Sequence, residues 1–187
     1  MKRKRSLKNL ADYIKVYDDI LHKEQCDEII KKFESSNDIE HFDNEIFKFS
    51  QLNITQGAGW EDIAQDFAND VYSGVLHYFD DLDIPIVPPI EGFEEIRIKK
   101  YRPGENDRFD MHVDVNDHKT SRRYLVAFCY LNDCDEGGET TFPTVDISVK
   151  PKAGRFLIFP PLWMFPHTGN KPISNDKYIM GTYLHYI

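Results

Sequence analysis

The sequence predicts one α+β domain, in which a helical first half supports a β-sandwich or jelly roll formed by the second half. Three observations lead there. A chain of 187 residues suits a single core. Before about residue 90 apolar residues recur at helical spacing. Beyond residue 95 they fall into short runs, parted at roughly ten-residue intervals by Gly, Pro and Asn-Asp turns.

The elements follow in order. Tyr13–Ile20 reads as a short strand, and Asp27–Phe33 as an amphipathic helix that starts near His22, with Ile29, Ile30 and Phe33 at core spacing. Ile46–Ile54 reads as a second strand. Trp60–Tyr78 is a longer helix, with Ile63, Phe67, Val71, Val75 and Tyr78 on one face. Pro85, Pro88 and Pro89 then forbid helix. The strand half comprises Ile96–Tyr101, Phe109–Val115, Arg123–Leu131, Glu139–Phe142, the alternating Val145, Ile147 and Val149, Phe156–Phe159, and Lys177–Ile187. Helical support over about 20–80 and a strand core over about 95–187 make up a single domain at 9–187. Residues 1–8 read as a disordered basic tail.

Charge narrows the function classes. The chain has 23 Lys+Arg against 32 Asp+Glu, a net of −9. Five of the bases lie in residues 1–8, which leaves a body of 18 bases and 32 acids, net −14. Such a body is a poor nucleic-acid clamp, and its charge tilts the expected partner toward a basic or neutral peptide. No apolar stretch nears the length of a membrane span. The basic start runs into Leu10-Ala11-Asp12-Tyr13 and not into the apolar core of an export signal. Cys26, Cys129 and Cys134 form no C-x-x-C pair, so the expected setting is reducing and cytoplasmic.

The seven histidines raise the question of a metal. His-x-Asp on a strand presents two ligands on one face. With this many acids about one His-x-Asp/Glu is expected by chance, and the chain has three, at His22, His41 and His112. His22 suits a helix cap and His41 a polar loop. His112-Val113-Asp114 differs, because it lies among Phe109, Met111 and Val113, with the polar pair expected on the opposite face. A buried His and Asp cost desolvation unless a cation compensates them. A facial triad needs a third ligand, and His167, held between Pro166 and Gly169, is the candidate. Spacing alone leaves it open between a ligand and a capped loop histidine.

From here the motifs match a known family. Tyr101-Arg102-Pro103-Gly104 precedes His112-x-Asp114. Tyr130-Leu131-Asn132-Asp133 leads to Gly137-Gly138-Glu139-Thr140-Thr141-Phe142-Pro143. Val149-Lys150-Pro151-Lys152-Ala153-Gly154, His167-Thr168-Gly169 and Lys177-Tyr178 follow. In this order they resemble the iron(II)- and 2-oxoglutarate-dependent dioxygenases, in particular the prolyl 4-hydroxylase-like branch. The resemblance selects a double-stranded β-helix (jelly-roll) core with supporting N-terminal helices.

It also implies roles. His112, Asp114 and His167 would bind iron(II), and Lys177 would pair with the distal carboxylate of 2-oxoglutarate. The sequence favours Lys177 because no arginine follows Arg155 and Lys171 sits in the Pro172 loop. Tyr101 and Tyr130 would hydrogen-bond or wall the cosubstrate pocket, with ordinary aromatic core as the alternative. Thr140 is a further pocket candidate, and Trp163 and Tyr183 are assigned to the substrate. The implied cofactors are iron(II), 2-oxoglutarate and dioxygen, with ascorbate binding added. The implied reaction hydroxylates a prolyl residue in a peptide or protein and releases succinate and carbon dioxide. The alternative is the same chemistry on another side chain, a free amino acid or a small metabolite. The family's usual Trp six residues after the lysine is here Tyr183, and Gln51-Leu52-Asn53-Ile54-Thr55 stands where collagen-type relatives are Arg-rich. These departures bear on the substrate and not on the iron.

Overall fold

The structure, a computed structural model, describes residues 8–187. Of the expected basic tail, residues 1–7 therefore lie outside the described residues. The described chain opens with a 3₁₀ turn, Leu10–Tyr13, and runs β1 (Lys15–Tyr17), α1 (Lys23–Glu34), β2 (Glu40–Asp43), β3 (Phe47–Asn53), α2 (Glu61–Asp81), β4 (Arg97–Tyr101) and β5 (Arg108–His112). It continues with β6 (Arg123–Tyr130), β7 (Thr140–Phe142), β8 (Ile147–Val149), β9 (Arg155–Phe159), β10 (His167–Gly169) and β11 (Lys177–His185). Every pairing is antiparallel. The strand order is β1-β9-β6-β11-β4-β3-β5-β10-β7-β8, with β2 attached to β3. This curled sheet is the expected jelly roll. No helix among the described residues is long and apolar enough to cross a membrane.

Side-chain alternation builds two cores from the same strands. On β6 and β9, Leu125, Ala127, Cys129, Phe156 and Ile158 join the helical residues Phe33, Val71 and Val75. The opposite parity, Val126, Phe128, Tyr130, Leu157 and Phe159, meets Phe142, Val149 and Phe165 inside the roll. Burial on both faces is why these segments read as unbroken apolar runs. Cys26, Ile29 and Phe33 on α1, and Phe67, Val71, Val75 and Tyr78 on α2, are the buried stripes that dock the helices on the sheet.

Three neighbouring strands are apolar on the helix side and mix apolar with polar and charged residues on the other. Leu52 of β3, Ile98 of β4, and Met180 and Leu184 of β11 face the helices. Their other parity, Phe49 and Gln51, then Arg97, Lys99 and Tyr101, then Lys177, Ile179 and Tyr183, points into the roll, which is left hollow there. Register places Tyr101 opposite Lys177, and Lys99 between Gln51 and Ile179.

Several sequence expectations need correction. Tyr13–Ile20 is mostly turn, with only Lys15–Tyr17 extended against β9. His41 is not in a loop: β2 pairs with β3, and His41 Nδ1 meets Ser50 Oγ at 2.9 Å. The strand Phe109–Val115 stops at His112, so Asp114 lies in the following turn. Met111 is 62% exposed and Phe109 lines the hollow beside His112, so no buried apolar face backs the His-Asp pair. His167 opens a strand of its own, which pairs with β5 and β7. Strands of three residues flanked by Pro and Gly carry too little period-2 signal to be read.

The turn before β9 is fixed by Gly154, which has φ +76°. Its N–H donates to the Tyr130 carbonyl at 2.9 Å, and its own carbonyl accepts from Ile20 N at 3.0 Å.

Candidate active site

Antiparallel pairing sets His167 of β10 directly across from His112 of β5. Their ring centroids are 4.3 Å apart. Each ring is held by the nitrogen that faces the backbone: His112 Nδ1 donates to the Asp110 carbonyl at 2.7 Å, and His167 Nδ1 to the Phe165 carbonyl at 3.1 Å. A carbonyl can only accept, so each Nδ1 carries a proton and Nε2 is the atom left to serve as a ligand. Both Nε2 atoms point to Asp114, with His112 Nε2 3.5 Å from Oδ1 and His167 Nε2 3.6 Å from Oδ2. The ligand atoms of the three residues all lie within 4.8 Å of one another.

The carboxylate is oriented from outside the cluster. Tyr183 OH donates to Asp114 Oδ1 at 2.8 Å, while Oδ2 is buried with no hydrogen-bond partner. Arg123 grips Glu94 with two bonds of 2.7 and 2.8 Å, donates to the Asp114 carbonyl at 3.0 Å and lies 3.9 Å over the Tyr183 ring. Phe109 stacks on His112, and Phe159 edges the His167 ring at 4.8 Å.

Burial works to raise the Asp114 carboxyl, but the His112 and His167 rings and the Tyr183 hydroxyl outweigh it and hold it at about 2. Burial lowers His167 to about 4, so at neutral pH its imidazole is uncharged and neither contact with Asp114 owes anything to a charged His167. An anionic carboxylate with one bare oxygen, beside two imidazole rings of which His167 is uncharged, lacks a cation. Two nitrogens and one oxygen on one face suit a non-haem iron(II) ion.

Beyond the cluster lies a small cavity of about 70 Å³, walled by Lys99, Tyr101, Thr140, His167 and Lys177 among others. Lys177 is 2% exposed and donates to the carbonyls of Gly138 at 3.1 Å and Asn170 at 3.2 Å, with its Nζ 4.3 Å over the Tyr101 ring. Among the described residues no carboxylate lies within ion-pair distance, and burial pushes the ammonium down to about 8. The cavity thus ends in a buried cation that wants an anion. Lys171, the competing base, is exposed.

The remaining expected residues divide. Thr140 and Tyr101 line the small cavity. Tyr130 does not: it is core, and its hydroxyl donates to Thr140 Oγ1 at 2.6 Å. Tyr183 lines the cavity and also holds Asp114, a positioning contact that its assignment to the substrate did not include. Trp163 is 76% exposed and outside the cavity walls, and Phe165 beside it is buried core. Sequence reasoning missed Lys99, Arg123 and Glu94. Lys99 had a signal, since it sits two residues before Tyr101 and shares its face. The Arg123–Glu94 pair joins positions far apart in the chain, and no local pattern marks it.

Residues 96–185 match the family described as the 2OG-Fe(II) oxygenase superfamily. A probable prolyl 4-hydroxylase 11 of Arabidopsis thaliana is 31% identical over 94 residues, which is 46% of this chain and 31% of the plant protein, so the match spans about a third of that relative's length. Among solved structures, the viral collagen prolyl hydroxylase of Paramecium Bursaria Chlorella virus-1, in its 2OG complex, superposes with a TM-score of 0.71 at 20% identity, covering 94% of this chain and 97% of that one. A Trichoplax adhaerens prolyl hydroxylase, in complex with a hypoxia inducible factor oxygen degradation domain peptide fragment, gives 0.70 at 16% identity, covering 93% and 84%. These likenesses show that the fold is that of the prolyl hydroxylases. The ligand cluster and the cavity lysine both lie inside the stretch, residues 96–185, that matches the 2OG-Fe(II) oxygenase superfamily.

Proposed function

We propose that this chain is an iron(II)- and 2-oxoglutarate-dependent dioxygenase that hydroxylates a prolyl residue in a peptide or protein, with succinate and carbon dioxide as co-products. The observation that carries the reading is the His112–Asp114–His167 cluster, with its bare Asp114 Oδ2, opening onto a cavity that ends at the unpaired Lys177. His112 Nε2, His167 Nε2 and the Asp114 carboxylate hold the metal. Lys177 takes the distal carboxylate of 2-oxoglutarate, against walls formed by Tyr101 and Thr140. When bound, the metal and cosubstrate supply the oxidation of an unactivated C–H bond by dioxygen. Tyr183 keeps its proton, because burial raises its hydroxyl well above the ordinary value, and it stays a donor to Oδ1 that would leave Oδ2 free for a metal. Arg123 fixes the Asp114 backbone and the Tyr183 ring together. No side chain is needed as a general base.

A peptide is favoured by the shape of the outer side. There a cavity of about 390 Å³ shares the walls Phe47, Phe49, Gln51 and Arg97 with a further groove of about 590 Å³, which runs to Asp38 and Glu40. The pair forms a trough across β3 that suits an extended chain. The Trichoplax relative's peptide complex supports the same class of substrate. Ascorbate is proposed as an accessory, on the family resemblance alone. The free, buried Cys26, Cys129 and Cys134 support a reducing, cytoplasmic setting.

The test is anaerobic binding of iron(II) and 2-oxoglutarate, followed by a screen of proline peptides in air. The expected result is succinate release together with a mass gain of one oxygen on a peptide. Succinate with no peptide product would refute the prolyl reading and leave the cofactor reading standing.

A further inference from the structure

One cation in the cavity lacks both a hydrogen-bond acceptor and a counter-ion among the described residues. Arg97 pairs with Glu95 at 3.0 Å, Arg123 is committed to Glu94, and Lys177 is enclosed by two carbonyls at the far end. Lys99 lines both the inner and the outer cavity. Among the described residues it has neither a hydrogen bond nor a carboxylate within ion-pair distance. Only ring faces hold its Nζ, Phe49 at 4.6 Å and Phe109 at 5.6 Å. Across the strands it meets the amide side chain of Gln51 and the apolar Ile179, neither of which can neutralise it.

Charge accounting points to the missing partner. The metal's two positive charges and Lys177 balance Asp114 and the two carboxylates of 2-oxoglutarate, so the loaded site sums to zero without Lys99. The Lys99 ammonium is then a surplus positive charge in a partly desolvated place, where burial already lowers it to about 8. An unpaired lysine at such a position costs stability unless a ligand completes it. The Lys99 aromatic sleeve opens on the side where the substrate must enter, because the inner cavity already has Lys177 for the cosubstrate.

We propose that Lys99 is a substrate-binding residue and that the substrate carries a carboxylate next to the carbon presented to the metal. This rests on the oxygenase reading and adds a class of substrate to it. The net charge of the whole chain, which suggested a basic or neutral partner, describes the outer surface. The cavity is lined locally by Arg97, Lys99 and Arg123 against Glu95 and Asp114. The carboxylate can come from an acidic side chain beside the proline or from the C-terminus of a chain that ends in proline.

The experiment measures binding of labelled peptide twins to the full chain loaded with iron(II) and 2-oxoglutarate under anaerobic conditions. One pair places Glu or Gln beside proline, and a second ends in proline as the free acid or the amide. Hydroxylation of each twin is then read in air. At least one anionic twin is expected to bind about tenfold tighter than its neutral partner, the size of one hydrogen-bonded ion pair in a partly buried site. Which pair shows the preference identifies the source of the carboxylate. Lys99→Gln is expected to erase the preference with the 2-oxoglutarate affinity unchanged, and Lys99→Glu to favour a Lys-bearing peptide. Equal behaviour of both pairs in the wild type, whether all bind or none, overturns the proposal, and so does a loss of 2-oxoglutarate affinity in Lys99→Gln. Oxygen entering both twins equally would sink the Lys99 role alone. A charge preference with no oxygen transferred to proline would sink the prolyl reading alone.

Discussion

Lys177→Met replaces a buried ammonium with an apolar side chain of similar length, and the structure predicts little change in the stability of the free protein but a large loss of cosubstrate binding. In the free protein Lys177 has two carbonyl acceptors and a ring face but no counter-ion. Burial lowers it from 10.5 to about 8, a penalty of about 3 kcal/mol on the charged form. Removing the charge relieves that penalty but leaves the Gly138 and Asn170 carbonyls without a donor, at about 1–3 kcal/mol. The two nearly cancel, so denaturant unfolding of the free variant should lie within about 2 kcal/mol of wild type, on either side. A buried ion pair that loses one partner costs about 3–5 kcal/mol. Calorimetry should therefore find the 2-oxoglutarate Kd raised by about two orders of magnitude or more, with metal affinity kept.

The pH dependence separates the two effects. The Lys177 pKa is lower in the folded than in the unfolded chain, so the unfolded state binds more protons between about 8 and 10.5. Wild-type stability then gains, relative to Lys177→Met, as pH rises through that window, while below about pH 8 the penalty is present in full. A variant that binds 2-oxoglutarate within tenfold of wild type would refute the assignment. Parallel stability profiles from pH 7 to 10.5 would refute the unpaired charge.

Asp114→Ala removes the only anionic ligand of the cluster and should abolish detectable iron(II) binding with the fold retained, as measured by metal analysis after gel filtration. Tyr183→Phe deletes the 2.8 Å bond to Asp114 Oδ1 and should weaken metal binding by about tenfold, while 2-oxoglutarate binding to the metal-saturated protein is unchanged. Gly154→Ala would place a Cβ 2.0 Å from the Leu21 carbonyl oxygen at φ +76°, and denaturant unfolding should show a loss on the order of 3 kcal/mol or more.

Much of this architecture is legible along the chain. The stripes of α1 and α2 are periodic because one side of each helix is buried, and β6 and β9 are long apolar runs because both of their faces are. The cluster ligands could be read from spacing together with family motifs. Less was legible where structure depends on a partner strand. His41 looked like loop because β2 is an edge strand whose side chains stay largely exposed, and β10 was invisible because its three residues are extended only through pairing with β5 and β7. Tyr130 and Tyr101 looked equivalent, yet Tyr130 has the parity of the inner core and Tyr101 faces the hollow.

The sequence by itself pointed to the α+β class and a strand-rich second half, and ordered family motifs singled out the jelly roll and His112, Asp114, His167 and Lys177 as candidates. Those are properties of periodicity and of short ordered motifs, which survive without knowledge of what lies opposite. Only the tertiary structure decided that Asp114 leaves the strand and turns its carboxylate toward two imidazoles with Oδ2 left bare, that Tyr183 and the Arg123–Glu94 pair hold it there, and that Lys99 stands at the cavity with no counter-ion among the described residues. Each of those facts is a distance between residues far apart in the chain, and such distances are fixed by strand register and not by local sequence.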